Sequence, residues 1–172
     1  DTIIEKLSDG YDSVASSVSY VLPDNVEQLW LSGTPRTHTN GTGNDIDNAI
    51  YGTYGNNILT GKGGDDTLNG YAGNDVLNGG LGDDSLYGGD GKDTAVFSSR
   101  NNRINLALST AQNTFDGLDT LSSIENVNAG GGDDIVRGNS GVNTLRGEGG
   151  ADILIGNAGN DVLNGGSGID DL

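Results

Sequence analysis

Apolar residues along this chain come singly and at a fixed interval. Leu68, Leu77 and Leu86 stand nine residues apart, as do Leu145, Leu154 and Leu163, and each follows an Asp or Asn by two positions. An apolar side chain between two outward neighbours is the two-residue period of a strand. The interval therefore predicts three-residue strands with one inward side chain, separated by glycine-rich turns. One contiguous array runs over 61–69 (GKGGDDTLN), 70–78 (GYAGNDVLN), 79–87 (GGLGDDSLY) and 88–96 (GGDGKDTAV). A second runs over 129–137 (AGGGDDIVR), 138–146 (GNSGVNTLR), 147–155 (GEGGADILI), 156–164 (GNAGNDVLN) and a truncated 165–172 (GGSGIDDL). Degenerate copies at 43–51 and 52–60 precede the first array. Two nonapeptides make one coil, and stacked coils make parallel sheets around a thin aliphatic core. The expected fold is all-β, a parallel β-roll or β-helix solenoid.

Residues 97–128 break the period, yet Arg103 to Leu108 alternates like a strand and Asp119 to Val127 resumes apolar spacing. Gly10 to Val18 matches Gly117 to Ile124 in spacing, and Val26 to Leu29 echoes Ile124 to Val127. The expected organisation is irregular N-terminal rungs over 1–42, a first array over 43–96, connecting rungs over 97–128 and a second array over 129–172, all one continuous solenoid. A start at Asp1 without Met, and a stop inside a repeat, read as a piece of a longer protein.

Charge narrows the partners. Against 25 acids stand 8 bases, for a net charge of −17. Nucleic acid is excluded as a partner, since phosphate contacts need clustered Lys and Arg. So acidic a chain with only 33% hydrophobic residues stays expanded unless cations neutralise it. Cysteine is absent, which rules out disulfides and thiolate metal sites and leaves oxygen ligation of a hard cation. No run of about 20 apolar residues could span a bilayer.

The pattern G-G-x-G-x-D-x-U-x, with U apolar, resembles the RTX, or haemolysin-type, calcium-binding nonapeptide repeats, strongly over 43–96 and 129–172. Glycine lets a turn bring carbonyl oxygens to one point, and Asp adds a carboxylate there. Calcium accepts six to eight such oxygens, whereas magnesium demands a tight octahedron. Turns on one edge are two nonapeptides apart, so an ion between them joins Asp residues 18 apart. In the family, the upper turn gives second- and fourth-position carbonyls and its Asp, and the lower turn first- and third-position carbonyls and its Asp.

The resemblance thus implies one site from Lys62, Gly64 and Asp66 with Gly79, Leu81 and Asp84. The opposite edge would use Tyr71, Gly73 and Asp75 with Gly88, Asp90 and Asp93. The second array would use Gly130, Gly132 and Asp134 with Gly147, Gly149 and Asp152, then Glu148, Gly150 and Asp152 with Gly165, Ser167 and Asp170. At least four Ca2+ ions are expected. Asn57 against Asp75, and Asn143 against Gly156, Ala158 and Asp161, leave one carboxylate per ion, so these gaps should bind weakly or stay empty.

Catalysis finds no support. His38 is the one histidine and is expected to face solvent in a polar loop; neither HExxH nor GxSxG occurs. Asp65-Asp66, Asp83-Asp84 and Asp133-Asp134 are paired carboxylates of the kind a glycosidase uses, but their identical repeat positions favour metal ligation or solvation. Trp30 is expected to pack against or cap the solenoid, and no outward Thr ladder suits an ice-binding surface. The resemblance implies a module of a secreted, extracellular or cell-surface bacterial protein. It would stay unfolded in a low-calcium cytosol, suit type I secretion and fold on extracellular calcium, in support of catalytic or adhesive domains of the parent. The alternative is an adhesive or polysaccharide-binding module whose fold calcium holds.

Overall fold

The computed structural model describes residues 10–34 and 38–172; residues 1–9 and 35–37 of the expected N-terminal rungs and of the loop before His38 lie outside them. Eighteen short strands and no helix occur among the described residues, so no helix is long and apolar enough to cross a membrane. In chain order they begin with β1 (Ser13–Ser16), β2 (Tyr20–Val21), β3 (Gln28–Leu31), β4 (Gly41–Thr42), β5 (Ala49–Tyr51) and β6 (Ile58–Gly63). Next come β7 (Thr67–Asn69), β8 (Val76–Leu81), β9 (Ser85–Tyr87), β10 (Thr94–Val96), β11 (Arg103–Asn105) and β12 (Gln112–Asn113). The last are β13 (Leu118–Ser122), β14 (Asn126–Asn128), β15 (Ile135–Arg137), β16 (Thr144–Gly149), β17 (Ile153–Ile155) and β18 (Val162–Ser167).

The coils wind between two faces, as a parallel β-solenoid. One face is a sheet in the order β2-β4-β6-β8-β10-β14-β16-β18. The other is divided between β1-β3-β5-β7-β9-β13-β12 and β11-β15-β17. Within the arrays the register advances by 18, as in Leu68 opposite Leu86 and Leu145 opposite Leu163, so two nonapeptides complete each coil. The core is a single file from each face. Leu29, Ile50, Leu68 and Leu86 meet Leu59, Leu77, Ala95, Val127 and Leu145 within one apolar cluster, all at or below 1% exposure. Leu163, in the last described coil, is partly buried and packs against this cluster.

Two features depart from the expected pattern. Strands β6, β8, β16 and β18 are six residues long, because pairing continues into the turn, as in Lys62 opposite Gly80 and Gly63 opposite Leu81. The segment 97–128 also does not advance rung by rung. Strand β11 steps ahead to pair with β15, the chain doubles back through β12, and β13 returns to pair with β9. Gln112, on β12, reaches β11 by accepting the Asn105 N–H and donating to its carbonyl. The division of one face is thus bridged by a side chain.

Trp30 neither enters the core nor caps an end. It lies on the outer face, 40% exposed, stacked on Tyr51 at 3.9 Å and 11°. The parallel register places them side by side on adjacent strands.

Candidate metal-binding turns

The turns form two stacked columns. One holds 43–48, 61–66 and 79–84, and further along 129–134, 147–152 and 165–170; the other holds 52–57, 70–75 and 88–93, then 138–143 and 156–161. A carboxylate ladder at the sixth position joins neighbours. Asp84 Oδ1 accepts the Asp66 N–H at 2.8 Å, Asp93 Oδ1 that of Asp75 at 2.8 Å, Asp152 Oδ1 that of Asp134 at 2.9 Å, and Asp170 Oδ1 that of Asp152 at 3.1 Å. Every pair expected to share a gap with two carboxylates is therefore stacked. Asn57 and Asn143 likewise donate their N–H groups to Asp75 and Asp161, at 2.7 and 2.9 Å.

The backbone carries the remaining oxygens into the same gaps. A Cβ on Gly80 would overlap the Lys62 carbonyl, and one on Gly82 the Gly64 carbonyl. Gly89 and Gly91 meet the carbonyls of Tyr71 and Gly73 in the same way, Gly150 that of Gly132, and Gly166 and Gly168 those of Glu148 and Gly150. From below, the first-position carbonyls of Gly79, Gly88 and Gly165 approach Gly61, Gly70 and Gly147 beside the sixth-position carboxylates. Several carbonyls also accept ladder N–H groups: Asp90 from Gly73, Gly149 from Gly132, Ser167 from Gly150, Tyr71 from Asp90 and Gly130 from Gly149. A carbonyl has two lone pairs, so one remains for a cation. The geometry requires positive φ at the second position, 95° at Lys62, 69° at Tyr71 and 73° at Glu148, a region costly for residues with a Cβ.

The second carboxylate oxygens decide the chemistry. Oδ2 of Asp66, Asp75, Asp93, Asp134 and Asp152 is buried without a hydrogen-bond partner. An ionised oxygen in that state costs several kcal/mol, so it must be neutralised or protonated. Burial, with smaller repulsion from neighbouring acids, raises Asp66 to about 8 and Asp75, Asp84 and Asp134 to about 7, against the hydrogen bonds each accepts. Asp93, Asp119 and Asp152 are raised by the same cause. Among the described residues no three His, Cys, Asp or Glu side chains gather to hold a metal. The gaps between stacked turns thus offer paired carboxylates and turn carbonyls, a hard all-oxygen set that suits calcium.

Other contributors were hidden in the sequence. Thr114 to Ser122 (TFDGLDTLS) is a further nonapeptide turn and strand: Phe115 has φ 72°, Asp119 Oδ1 accepts the Asp84 N–H at 2.9 Å, and Leu121 is buried. Loss of the first two glycines masked it, although G-x-D-x-L survives. Thr114 Oγ1 donates to the Asp119 carboxylate. Glu125 takes the Asp role below Asp93, accepting its N–H at 2.9 Å; Glu27 does so for Asp12 at 2.7 Å. The echo between Val26–Leu29 and Ile124–Val127 is thus chemical. The first carboxylate of each Asp-Asp pair points the other way, as Asp65 Oδ1 accepts the Asp83 N–H and Asp133 Oδ1 that of Ala151. These exposed fifth-position acids brace the backbone. His38 is exposed, with Nδ1 3.2 Å from the Asn56 carbonyl.

Fold and turns together define a parallel β-roll whose edges are built to gather oxygen ligands. The family model for the RTX calcium-binding nonapeptide repeat matches residues 41–77, 51–86, 60–95, 119–154 and 137–172, more than half of the chain, which belongs to that family. Membership implies calcium binding, and such repeats typically occur in secreted bacterial proteins. A search of curated proteins returned no match to the chain.

Proposed function

We propose that the chain is a module that folds on extracellular calcium and stabilises, or assists the secretion of, a larger secreted bacterial protein. The observation that supports this is the buried, partnerless Oδ2 of Asp66, Asp75 and Asp152, each beside the first-position carbonyl of the next turn, at Gly79, Gly88 and Gly165. Ions would sit between turns 61–66 and 79–84, 70–75 and 88–93, 129–134 and 147–152, and 147–152 and 165–170, on the ligands named from the sequence. In low calcium these carboxylates repel one another and oppose folding. Extracellular modules bind calcium at about 10⁻⁴–10⁻³ M, so millimolar calcium outside the cell would drive folding after export. Far-UV circular dichroism in calcium and in chelator tests the reading. A β content that falls in chelator and is restored by calcium supports it, and equal β content in both overturns it.

A second reading, an adhesive or polysaccharide-binding module held by calcium, draws on one surface. Trp30, Tyr54 and Tyr71 border a recess of about 330 Å³ on the outer face. Aromatic faces of this kind can stack on sugar rings. Glycan binding in calcium that is lost in Trp30→Ala supports it, and absence of glycan binding in calcium counts against it.

A further inference from the structure

The turns fall into two backbone classes, and the sixth residue sorts them. Where it is Asp, the second residue has positive φ: Lys62, Tyr71, Gly80, Gly89, Phe115, Gly130, Glu148, Asn157 and Gly166. Where it is Asn, at 48, 57, 102 and 143, the second residues Asn44, Thr53, Ser98 and Asn139 do not. In three of these turns the second-position N–H instead donates to the Asn Oδ1, at 2.7 Å for Asn44, 2.6 Å for Thr53 and 2.8 Å for Asn139. Turns 138–143 (GNSGVN) and 156–161 (GNAGND) make the contrast sharp. Both carry Asn second and Gly fourth, yet only Asn157 and Gly159 take positive φ, and Asn139 and Gly141 do not.

The amide nitrogen supplies what a cation would. Asn48 Nδ2 donates to the Val26 carbonyl at 3.0 Å, Asn57 Nδ2 to Thr39 at 2.5 Å, and Asn143 Nδ2 to Glu125 at 2.9 Å. At Asn102, wholly buried, Nδ2 donates to Ser98 and Arg100 at 2.9 Å and to Ala129 at 2.8 Å. Those are the second- and fourth-position carbonyls of its own turn and the first of the next, part of the ligand set expected of calcium. Three converging carbonyls require either a cation or a donor, and the amide nitrogen, as donor, holds the place of an ion. On the other side of this turn, Arg100 Nη1 donates to the Phe115 carbonyl at 3.1 Å, and Ser98 donates to the Asp116 carboxylate through both N–H and Oγ.

We infer that the four Asn turns are calcium-free staples, closed by their own amides, and that Asn against Asp at the sixth position decides whether a turn opens for calcium. This rests on the calcium reading of the Asp turns. Asn57 and Asn143 are then closing groups rather than weak ligands. The turn 97–102 holds the junction where the chain doubles back, so that joint needs no metal.

Native mass spectrometry in calcium on the full chain and on Asn143→Asp tests this, with hydrogen exchange in chelator as a second readout. The variant should bind one ion more than the wild type, because its new carboxylate faces Asp161. In chelator, protection of the wild-type Ile135 amide, which donates to the Asn102 carbonyl, should exceed that of Ser85, which donates to Asp66, and should fall in Asn102→Ala. An unchanged ion count in Asn143→Asp, or equal protection at the two amides, overturns the inference. A wild type that binds no calcium overturns the calcium reading itself, a separate outcome in the same measurement.

Discussion

Asp75→Asn separates what a sixth-position carboxylate does for calcium from what it does for the backbone. Asp75 is 1% exposed; its Oδ1 accepts the Asn57 N–H at 2.7 Å, and its Oδ2 is buried without a partner beside Gly70. The amide oxygen can keep the bond from Asn57, so the charged ligand is the main loss. With calcium about ten- to a hundredfold above Kd, one ion adds about 1.4–2.7 kcal/mol to folding. Losing the ion between turns 70–75 and 88–93 should lower Tm in calcium by about 3–10 °C. In chelator at pH 8 the sign reverses. The wild type must then bury a carboxyl whose pKa burial raises to about 7, whereas the variant buries a neutral amide, so the variant should be the more stable. Thermal melts followed by circular dichroism, with excess calcium and with excess chelator, read both. A drop of equal size in the two buffers refutes the reasoning, since it would assign the carboxylate's worth to the Asn57 hydrogen bond alone.

The calcium-free chain should be more structured at pH 5 than at pH 8. Folded carboxyls raised to about 7 or 8 bind protons that the unfolded chain, near 3.8, releases, so their stabilisation is lost as pH rises through 7–8; a flat circular dichroism signal over this range in chelator would contradict it. With calcium present the trend inverts, because only ionised carboxylates ligate, and calcium addition at pH 6.5 should release protons, seen as acidification in weak buffer. Gly82→Ala puts a Cβ onto the Gly64 carbonyl at φ 136°; calorimetry should find one ion fewer, with about 1–3 kcal/mol of stability lost in calcium. Leu77→Ala opens a cavity in a core one side chain deep and should cost about 3–5 kcal/mol by urea unfolding in calcium.

Much of the site was legible because its chemistry repeats. An Asp two residues before each inward Leu fixes the carboxylate's place relative to the strand, and a nine-residue period places paired carboxylates 18 apart. What escaped were positions where another residue does the same job. Glu125 replaces Asp because the turn before β14 has shrunk and a longer side chain can still reach the Asp93 N–H. Phe115 takes the positive φ of a missing glycine because the coils on either side impose it. Asn57 and Asn143 read as gaps that bind weakly or stay empty for want of a carboxylate, and a sequence does not reveal that their amides donate to carbonyls.

The sequence by itself determined the strand period, the inward file of Leu, Ile and Val, the two turn columns and the acidic, oxygen-only character of the edges. These follow from local covalent rules, side-chain alternation and residue chemistry, which need no neighbour to be read. Only the tertiary structure decided that β13 falls back beside β9 while β11 runs ahead to β15, because strand pairing is a choice among distant partners. Only it decided that Gly55 and Gly141, free to take positive φ, do not. A turn's backbone answers to the hydrogen bonds of its sixth residue and of the coils stacked above and below, and those exist only once the solenoid has closed.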